Sequence, residues 1–110
     1  MPLAVRFTHG AREDLREIHA YIAANDSLEN ANRVASQIMQ AAQSLRELPD
    51  RGSYPPELLA LGSRSYRQIF FKPYRILYRT RTDAVYIGLI ADGRRDLAPL
   101  LLRRLSSGSL

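Results

Sequence analysis

The chain has 110 residues, 45% of them apolar and 25% charged, which fits one soluble globular domain with a modest hydrophobic core. It has no cysteine, which excludes disulfide scaffolds and thiolate metal sites, and no apolar run approaches the roughly 18–20 residues that a membrane span needs. The net charge of +5 is uneven: residues 1–50 carry five arginines against seven acids, whereas residues 51–110 carry eleven basic residues against four acids, so an anionic partner is expected at the second half.

The first predicted elements are a short strand and an amphipathic helix. Apolar side chains at positions 3, 5 and 7 alternate with their neighbours, which predicts a strand with one apolar face. Gly10 is expected to end this strand. Apolar residues at positions 11, 15, 18 and 22 then follow the helical period. Glu13 and Asp14 are expected in the first turn of this helix, where carboxylates favour the positive end of the helix dipole.

A second, longer helix is predicted from position 28 to position 48. Ser27 is expected to be its N-cap, with Glu29 in the first turn. One apolar stripe follows the whole segment, and Pro49 ends it. Since only about three residues separate the two helices, they are expected to form an antiparallel αα-hairpin.

Three strands are predicted next, at about 64–71, 74–80 and 84–91. The turns between them are short enough for hairpins, so an antiparallel meander is expected. In the middle strand, residues 74, 76 and 78 should face the helices, while Arg75, Leu77 and Arg79 occupy the other face. A proline-containing loop precedes the strands, and three of its leucines are expected to tuck under the sheet: Leu58, Leu59 and Leu61.

The last predicted element is a short leucine-rich helix. Gly93 is expected to let the chain turn sharply after the last strand, and Asp96 is expected to cap the helix. Leu101 and Leu105 are assigned to the core, and residues 106–110 to a flexible tail. The order β-α-α-β-β-β-α therefore predicts a single α+β domain over residues 1–105, with the N-terminal strand and αα-hairpin packed on an antiparallel sheet.

The common catalytic and cofactor motifs are missing from this sequence. The two histidines, His9 and His19, have no partners at metal-ligand spacing, so both are interpreted as surface residues and no metal is expected. The chain also has no glycine-rich phosphate loop and no nucleophile elbow. The sequence therefore predicts no cofactor.

Basic and aromatic residues of the second half form the candidate functional set. Its members are Arg64, Tyr66, Arg67, Lys72, Tyr74, Arg75, Tyr78, Arg79, Arg94 and Arg95. Such residues can hold phosphates, stack bases or support metal-free RNA cleavage; the alternative is a solvated strand face with tyrosines in the core. We interpret Tyr74 and Tyr78 as core residues. We predict that Arg75, Arg94 and Arg95 gather on the open side of the sheet.

Four segments carry a resemblance to a known family: AREDLREIHAYIA (11–23), LRELPDRG (45–52), YRILYR (74–79) and VYIGLIADGRRDLAPLLLRRL (85–105). Their order and spacing resemble the RelE/ParE toxins of bacterial type II toxin–antitoxin modules, over residues 3–105. The resemblance implies a cytoplasmic toxin neutralised by a cognate antitoxin, whose acidic, partly disordered tail covers the arginines. It also implies that operator DNA is bound only through the antitoxin complex, and it implies no membrane partner.

RelE-like members of this family are ribosome-dependent mRNA endonucleases, which gives one alternative function. Their catalytic residues would correspond here to Arg67, Lys72, Arg75, Arg94 and Arg95. The set is incomplete, because the lysines of RelE-like toxins correspond to Arg67 and to Gln68 or Ile69. Their C-terminal tyrosine falls near Leu101. An arginine stays protonated and is therefore a poor general base.

ParE-like members inhibit DNA gyrase and need no hydrolytic residues, and we favour this interpretation. The segment IADGRRDLAPLLLRRL fits their C-terminal outline, although Asp92 stands where histidine is common. Growth arrest and plasmid stabilization are the expected cellular effects. A non-toxic basic nucleic-acid-binding domain is the third alternative. The residues expected to bind the target or the antitoxin are Arg64, Arg67, Arg75, Arg79, Arg94, Arg95 and Asp96.

Overall fold

The strands form one mixed sheet, and helices lie on both of its faces. The computed structural model describes residues 3–108 and 110. The strands are β1 (Ala4–Phe7), β2 (Arg67–Phe71), β3 (Tyr74–Thr80) and β4 (Ala84–Asp92). The helices are α1 (His9–Asn25), α2 (Leu28–Gln43), α3 (Pro56–Leu59) and α4 (Ala98–Ser107), and a 3-10 turn over Ser44–Arg46 follows α2. Within the described residues, no helix is long and apolar enough to cross a bilayer.

The strand order in the sheet is β1-β4-β3-β2. The antiparallel pairs β2–β3 and β3–β4 confirm the predicted meander. The first strand pairs in parallel with β4, so that Ala4 lies opposite Ala84 and Phe7 lies opposite Ile87. The sheet is therefore mixed, and the purely antiparallel sheet expected from the sequence is corrected at this edge. Parallel neighbours need a long crossover connection, which the αα-hairpin and the meander together supply.

Helix α1 begins earlier than the sequence pattern indicated. Its N-cap is Thr8, whose side-chain hydroxyl accepts a hydrogen bond from the Ala11 amide at 3.2 Å. The strand ends at Phe7, before Gly10, and Gly10 lies within the first turn of α1 and not ahead of the helix, because this cap offsets the roughly 1 kcal/mol cost of one glycine in a helix. Glu13 and Asp14 consequently lie in the second turn, beyond the region where the helix dipole acts strongly.

Helix α2 confirms the predicted cap and is shorter than predicted. The Ser27 hydroxyl accepts from the Asn30 amide at 3.0 Å, and Glu29 lies in the first turn. The α-helix ends at Gln43 and tightens into the 3-10 turn, so it does not reach position 48. Leu28 and Leu48, at the two ends of the predicted stripe, are 61% and 63% exposed.

The first hydrophobic core lies between the αα-hairpin and one face of the sheet. Its fully buried members include Ile38, Leu45, Ile76, Tyr78 and Ile87, and Tyr74 packs against them partly buried. The Tyr78 hydroxyl donates to the Pro49 carbonyl at 2.6 Å and accepts from the Gly52 amide at 3.1 Å. Burial raises the pKa of Tyr78. The interpretation of Tyr78 as a core residue is confirmed.

A second hydrophobic core covers the opposite face of the sheet. It joins Leu77 and Leu89 of the strands to Leu58, Leu97, Leu101 and Leu110. The open arginine-bearing face expected from the sequence is therefore wrong, because α3, α4 and Leu110 pack over its centre. Of the three leucines expected to tuck under the sheet, Leu58 does so. Leu59 and Leu61 are 39% and 63% exposed, because the single turn of α3 points one leucine inward.

Helix α4 begins at Ala98, and the Asp96 carboxylate accepts from the Ala98 amide at 3.1 Å. The N-cap is Leu97, which makes no side-chain cap hydrogen bond, so the helix begins one residue later than predicted and the prediction of Asp96 as its N-cap is wrong. Leu101 is buried as expected, whereas Leu105 is 40% exposed and is not a core residue. The helix extends through Ser107, and Leu110 packs against Gly88. The tail predicted from position 106 therefore overlaps the last turn of α4, and position 109 lies outside the described residues.

Candidate functional site

Arg75 is the second residue of β3, on the face covered by α3, and it is only 8% exposed. Its guanidinium donates to both carboxylate oxygens of Glu57, at 2.6 and 2.8 Å. It also donates to the Gln68 side-chain oxygen from Nε at 2.8 Å. The expectation that Arg75 faces solvent for an anionic partner is therefore wrong. The partner escaped sequence reasoning because Glu57 lies in a segment interpreted as a loop.

Gly93 supports this arrangement through close packing. A Cβ atom at this position would lie 2.8 Å from Cγ of Arg75 and 3.2 Å from the Pro73 carbonyl oxygen. The described glycines with a left-handed backbone are Gly62 and Gly108, so Gly93 does not need glycine for its φ angle. The chain turns at Gly93 directly after β4, as expected, and the glycine also gives the Arg75 side chain its space.

Arg94 and Arg95 follow the end of β4, as predicted, and are exposed. The Arg94 guanidinium pairs with the Asp92 carboxylate, with Nη2 at 2.6 Å and Nε at 3.0 Å from its oxygens. This hydrogen bond lowers the pKa of Asp92. Arg95 has no ion-pair partner in the part of the chain that the structure describes. Of the predicted trio, Arg95 is thus the exposed residue whose guanidinium makes no close ion pair among the described residues, although its charge helps to lower the pKa of Asp92.

The remaining predicted arginines are distributed over the two faces of the sheet. The guanidinium of Arg67 lies 4.5 Å from the centre of the Tyr54 ring and donates to the Gly52 carbonyl at 2.9 Å. Arg79 lies 5.8 Å from the centre of the Tyr66 ring, next to the second core. Arg64 and Lys72 are exposed. The structure therefore does not bring the predicted basic residues together into one cluster.

Residues 5–97 match the family described as the ParE toxin of the type II toxin–antitoxin system parDE. This chain belongs to the ParE toxin family. A solved structure with a similar fold is described as the chromosomal ParDE TA system from P. aeruginosa, with a TM-score of 0.69. The two are 17% identical, and the match covers 82% of this chain and 95% of that chain, so it supports the fold alone. No curated protein matches the chain at a significant level.

A largely buried ion pair connects α4 to α1 in this ParE-family chain, and the sequence analysis did not predict it. The Arg104 guanidinium pairs with Asp14 and also donates to the Gly88 carbonyl at 2.9 Å. The other Asp14 oxygen accepts from the Ile90 amide at 2.9 Å. The side chains of Arg104 and Asp14 are 13% and 11% exposed. The sequence could have indicated this pair, because position 14 falls on the apolar stripe of the first helix, where a carboxylate needs a buried partner.

The α1–α4 cleft lies beside this ion pair and has a volume of about 950 Å³. Its walls come from α1, α4 and the ends of β3 and β4. The charged residues that line it include Asp14 and Arg104, and also Arg94, Arg95 and Arg103. The described residues contain no group of three or more histidines or acids placed to hold a metal ion. The geometry of this ParE-family chain therefore offers a charged binding surface.

The pKa values of the two partly buried carboxylates, Asp14 and Glu57, are shifted in opposite directions. Burial raises the pKa of Asp14, outweighing its hydrogen bonds to the Ile90 amide and Arg104, whereas the hydrogen bond from Arg75 lowers the pKa of Glu57. The folded state therefore binds the Asp14 proton more tightly than the unfolded state does, so stability falls as pH rises through the folded pKa of Asp14. Glu57 stabilises above its unfolded pKa, and this stabilisation is lost as pH falls through its folded pKa.

A carboxyl-carbon NMR titration checks this expectation. Asp14→Asn and Glu57→Gln assign the two signals. We expect Asp14 to titrate above the ordinary aspartate range and Glu57 below the ordinary glutamate range. A titration of Asp14 below that of Glu57 would show that the carboxylate environments described above are incorrect.

Proposed function

We propose that this ParE-family chain is a toxin that inhibits DNA gyrase by binding it, and that a cognate antitoxin neutralises it in the cytoplasm. The observation that carries this proposal is the burial of Arg75 against Glu57. A metal-free nuclease needs cations free to stabilise charge on a reacting phosphate. Arg75 would be central to such a site, and its guanidinium is already neutralised by a carboxylate. Inhibition by binding does not need that group.

Arg67 and Arg94, two further members of the alternative nuclease set, support the same proposal. Arg67 contacts Tyr54 and the Gly52 carbonyl, and Arg94 is paired with Asp92. Leu101, which falls near the catalytic tyrosine of RelE-like toxins, is 2% exposed in the second core. A general base and several free cations converging on one point are therefore missing from the described residues. A ribosome-dependent mRNA endonuclease is less well supported than a gyrase-binding toxin.

The exposed residues after β4 are the proposed contact with the target. Arg95 is exposed and its charge is available, and Arg94 and Asp96 lie on either side of it. Arginine suits such a surface because its planar guanidinium donates in a fixed fork to carboxylates and phosphates. Arg64, Arg67 and Arg79 lie at the sheet and its preceding loop, and we propose them as secondary contacts with the target or the antitoxin.

A DNA supercoiling assay with purified gyrase tests the target. The purified chain is expected to inhibit supercoiling and to stabilise broken DNA, whereas Arg95→Glu is expected to weaken inhibition about tenfold or more because it reverses a charge at the contact. Arg81→Glu is the matched control, since Arg81 is exposed in the β3–β4 turn at the other end of β4. Equal inhibition by both variants would contradict the proposed contact.

The alternative functions give different results in parallel assays. New 5′ ends in toeprinting of translating ribosomes, with no effect on gyrase, would identify an mRNA endonuclease. Salt-dependent binding to DNA or RNA, with no effect on gyrase or ribosomes, would identify the basic nucleic-acid-binding domain. In cells, expression alone is expected to arrest growth. Co-expression with an acidic-tailed antitoxin encoded beside the toxin gene is expected to restore growth, and operator DNA is expected to bind only the complex.

A further inference from the structure

A row of alternating arginine and tyrosine side chains crosses one end of the sheet. In the strand register, Arg6 of β1 lies opposite Tyr86 of β4, and Tyr86 lies opposite Arg79 of β3. The guanidinium of Arg79 lies 5.8 Å from the centre of the ring of Tyr66, the residue directly before β2. The Arg–Tyr row is therefore the set Arg6, Tyr86, Arg79 and Tyr66.

The Arg–Tyr row lies on the face of the sheet that carries the second core. Val5 and Phe7, on either side of Arg6, pack against the first core, so Arg6 points to the opposite face. Its partners across the strands share that face, because paired residues of a sheet point the same way. Tyr66 is itself a member of the second core. Arg6 is exposed and the members on β3 and β4 are partly exposed, so this end of the face is open.

Positive charge predominates around the Arg–Tyr row. None of Arg6, Arg79 and Arg81 has an ion-pair partner among residues 3–108 and 110. Asp83, an acid that contacts the row, accepts a hydrogen bond from the Tyr86 hydroxyl at 2.8 Å. The charges of Arg6, Arg81 and Asp83 all act on that hydroxyl group. Three guanidinium groups and one carboxylate leave an excess of two positive charges among these four groups, which favours an anionic ligand.

The spacing of the row favours a ligand that alternates negative charge with flat rings. Neighbouring strands lie about 4.8 Å apart, so Arg6 and Arg79 are about 10 Å apart at the backbone, with Tyr86 between them. Arginine pairs with phosphate, and an aromatic ring stacks on a nucleic-acid base. An acidic peptide would pair with the arginines and leave the tyrosine ring unused. Bases of a duplex are stacked on one another, whereas those of a single strand are free to stack on Tyr86.

We propose that the Arg–Tyr row binds single-stranded nucleic acid through backbone phosphates and a stacked base. Arg6 and Arg79 donate to phosphate oxygens on either side of a base that stacks on Tyr86. Neither contact depends on the base sequence or on the 2′-hydroxyl, so single-stranded DNA and RNA are both ligands. This site is independent of the proposed gyrase contact, because the row lies at the start of β4, whereas Arg95 follows its end.

Fluorescence anisotropy with a labelled single strand of about 12 nucleotides, as DNA and as RNA, tests the arginine contacts. The slope of log affinity against log salt concentration is expected to be about 1.4 smaller in Arg6→Gln/Arg79→Gln, because two phosphate contacts are lost. Arg6→Gln alone leaves Arg79 packed on Tyr66 and should reduce the slope by about 0.7. The matched control is Arg12→Gln/Arg103→Gln, which changes two exposed arginines away from the row and should keep the wild-type slope.

Two substitutions at one position test the stacked base. Tyr86→Leu removes the aromatic ring and is expected to weaken single-strand binding about fivefold or more, because stacking is lost. Tyr86→Phe keeps the ring, removes the hydroxyl that contacts Asp83, and is expected to stay within about twofold of the wild-type affinity. A duplex of the same sequence is expected to bind the wild-type chain more weakly than the single strand does, and to bind the two variants equally.

Each contrary outcome overturns the proposed site. No single-strand binding by the wild-type chain, duplex binding as tight as single-strand binding, or equal affinities of Tyr86→Leu and Tyr86→Phe would exclude a base stacked on the row. Equal salt slopes for the arginine variants and their control would show general attraction to a basic surface. Because gyrase inhibition is measured in a separate assay, these outcomes leave the proposed function intact.

Discussion

Arg104→Ala is expected to lower the free energy of unfolding by about 3–5 kcal/mol, because it leaves the Asp14 carboxylate buried without its cation. The guanidinium also satisfies the Gly88 carbonyl, at 2.9 Å, and the Gly10 carbonyl, at 3.3 Å. Removing the guanidinium therefore leaves the Asp14 carboxylate and the two carbonyl oxygens without this hydrogen-bond donor. For a domain of this size the thermal midpoint is expected to fall by more than about 10 °C, which calorimetry or a circular-dichroism melt measures.

The neighbouring residue supplies the control for this substitution. Arg103 is exposed and makes no ion pair among the described residues, so Arg103→Ala is expected to change stability by less than about 0.5 kcal/mol. Loss of Arg104 should raise the pKa of Asp14 further. As pH falls and Asp14 becomes protonated, the difference in free energy of unfolding between the wild-type chain and Arg104→Ala should therefore become smaller. Equal stability of the two alanine variants at neutral pH would show that the Asp14–Arg104 ion pair does not stabilise the packing of α4 on α1.

Glu57→Ala is expected to lower the free energy of unfolding by about 2–4 kcal/mol, because the Arg75 guanidinium then stays buried with Gln68 as its remaining side-chain partner. The lower end of this range takes account of screening by water, since the Glu57 side chain is 26% exposed and that of Arg75 is 9% exposed. Chemical denaturation of Glu57→Ala and of the exposed control Glu47→Ala measures the difference. The control should stay within about 0.5 kcal/mol of the wild-type chain.

A double variant distinguishes an ion pair from a general packing defect. Replacing both partners, as Glu57→Ala/Arg75→Met, removes the buried charge together with its counter-ion. We expect this variant to be more stable than Glu57→Ala alone, because an apolar side chain needs no partner in the second core. Strictly additive losses from the two single substitutions would rule out the coupling described here.

Local features of the sequence predicted much of the fold. The three meander strands lie within a few residues of the predicted bounds, because period-two apolar patterns and short turns act over neighbouring residues. Ser27 was correctly identified as a cap for the same reason. Helix ends were less well predicted: α1 begins at His9 because Thr8 caps it, although Gly10 indicated a break.

The candidate site was less predictable than the fold. Arg94 and Arg95 follow the end of β4 as predicted, but Arg75 is buried against Glu57, so the three arginines do not gather on an open side of the sheet. Glu57 lies 18 positions from Arg75 along the chain, and Asp14 lies 90 positions from Arg104. Side chains so far apart in the sequence leave no periodic signal of their pairing.

The sequence by itself determined the family, the order of the strands and of the helices other than α3, and the basic character of the second half, since each depends on residue type and local spacing. Only the tertiary structure decided which arginines are neutralised within the molecule and which remain available. The physical reason is that packing α3 and α4 on the sheet takes Arg75 and Arg104 out of water, and a charge removed from water needs an acidic partner brought from a distant segment.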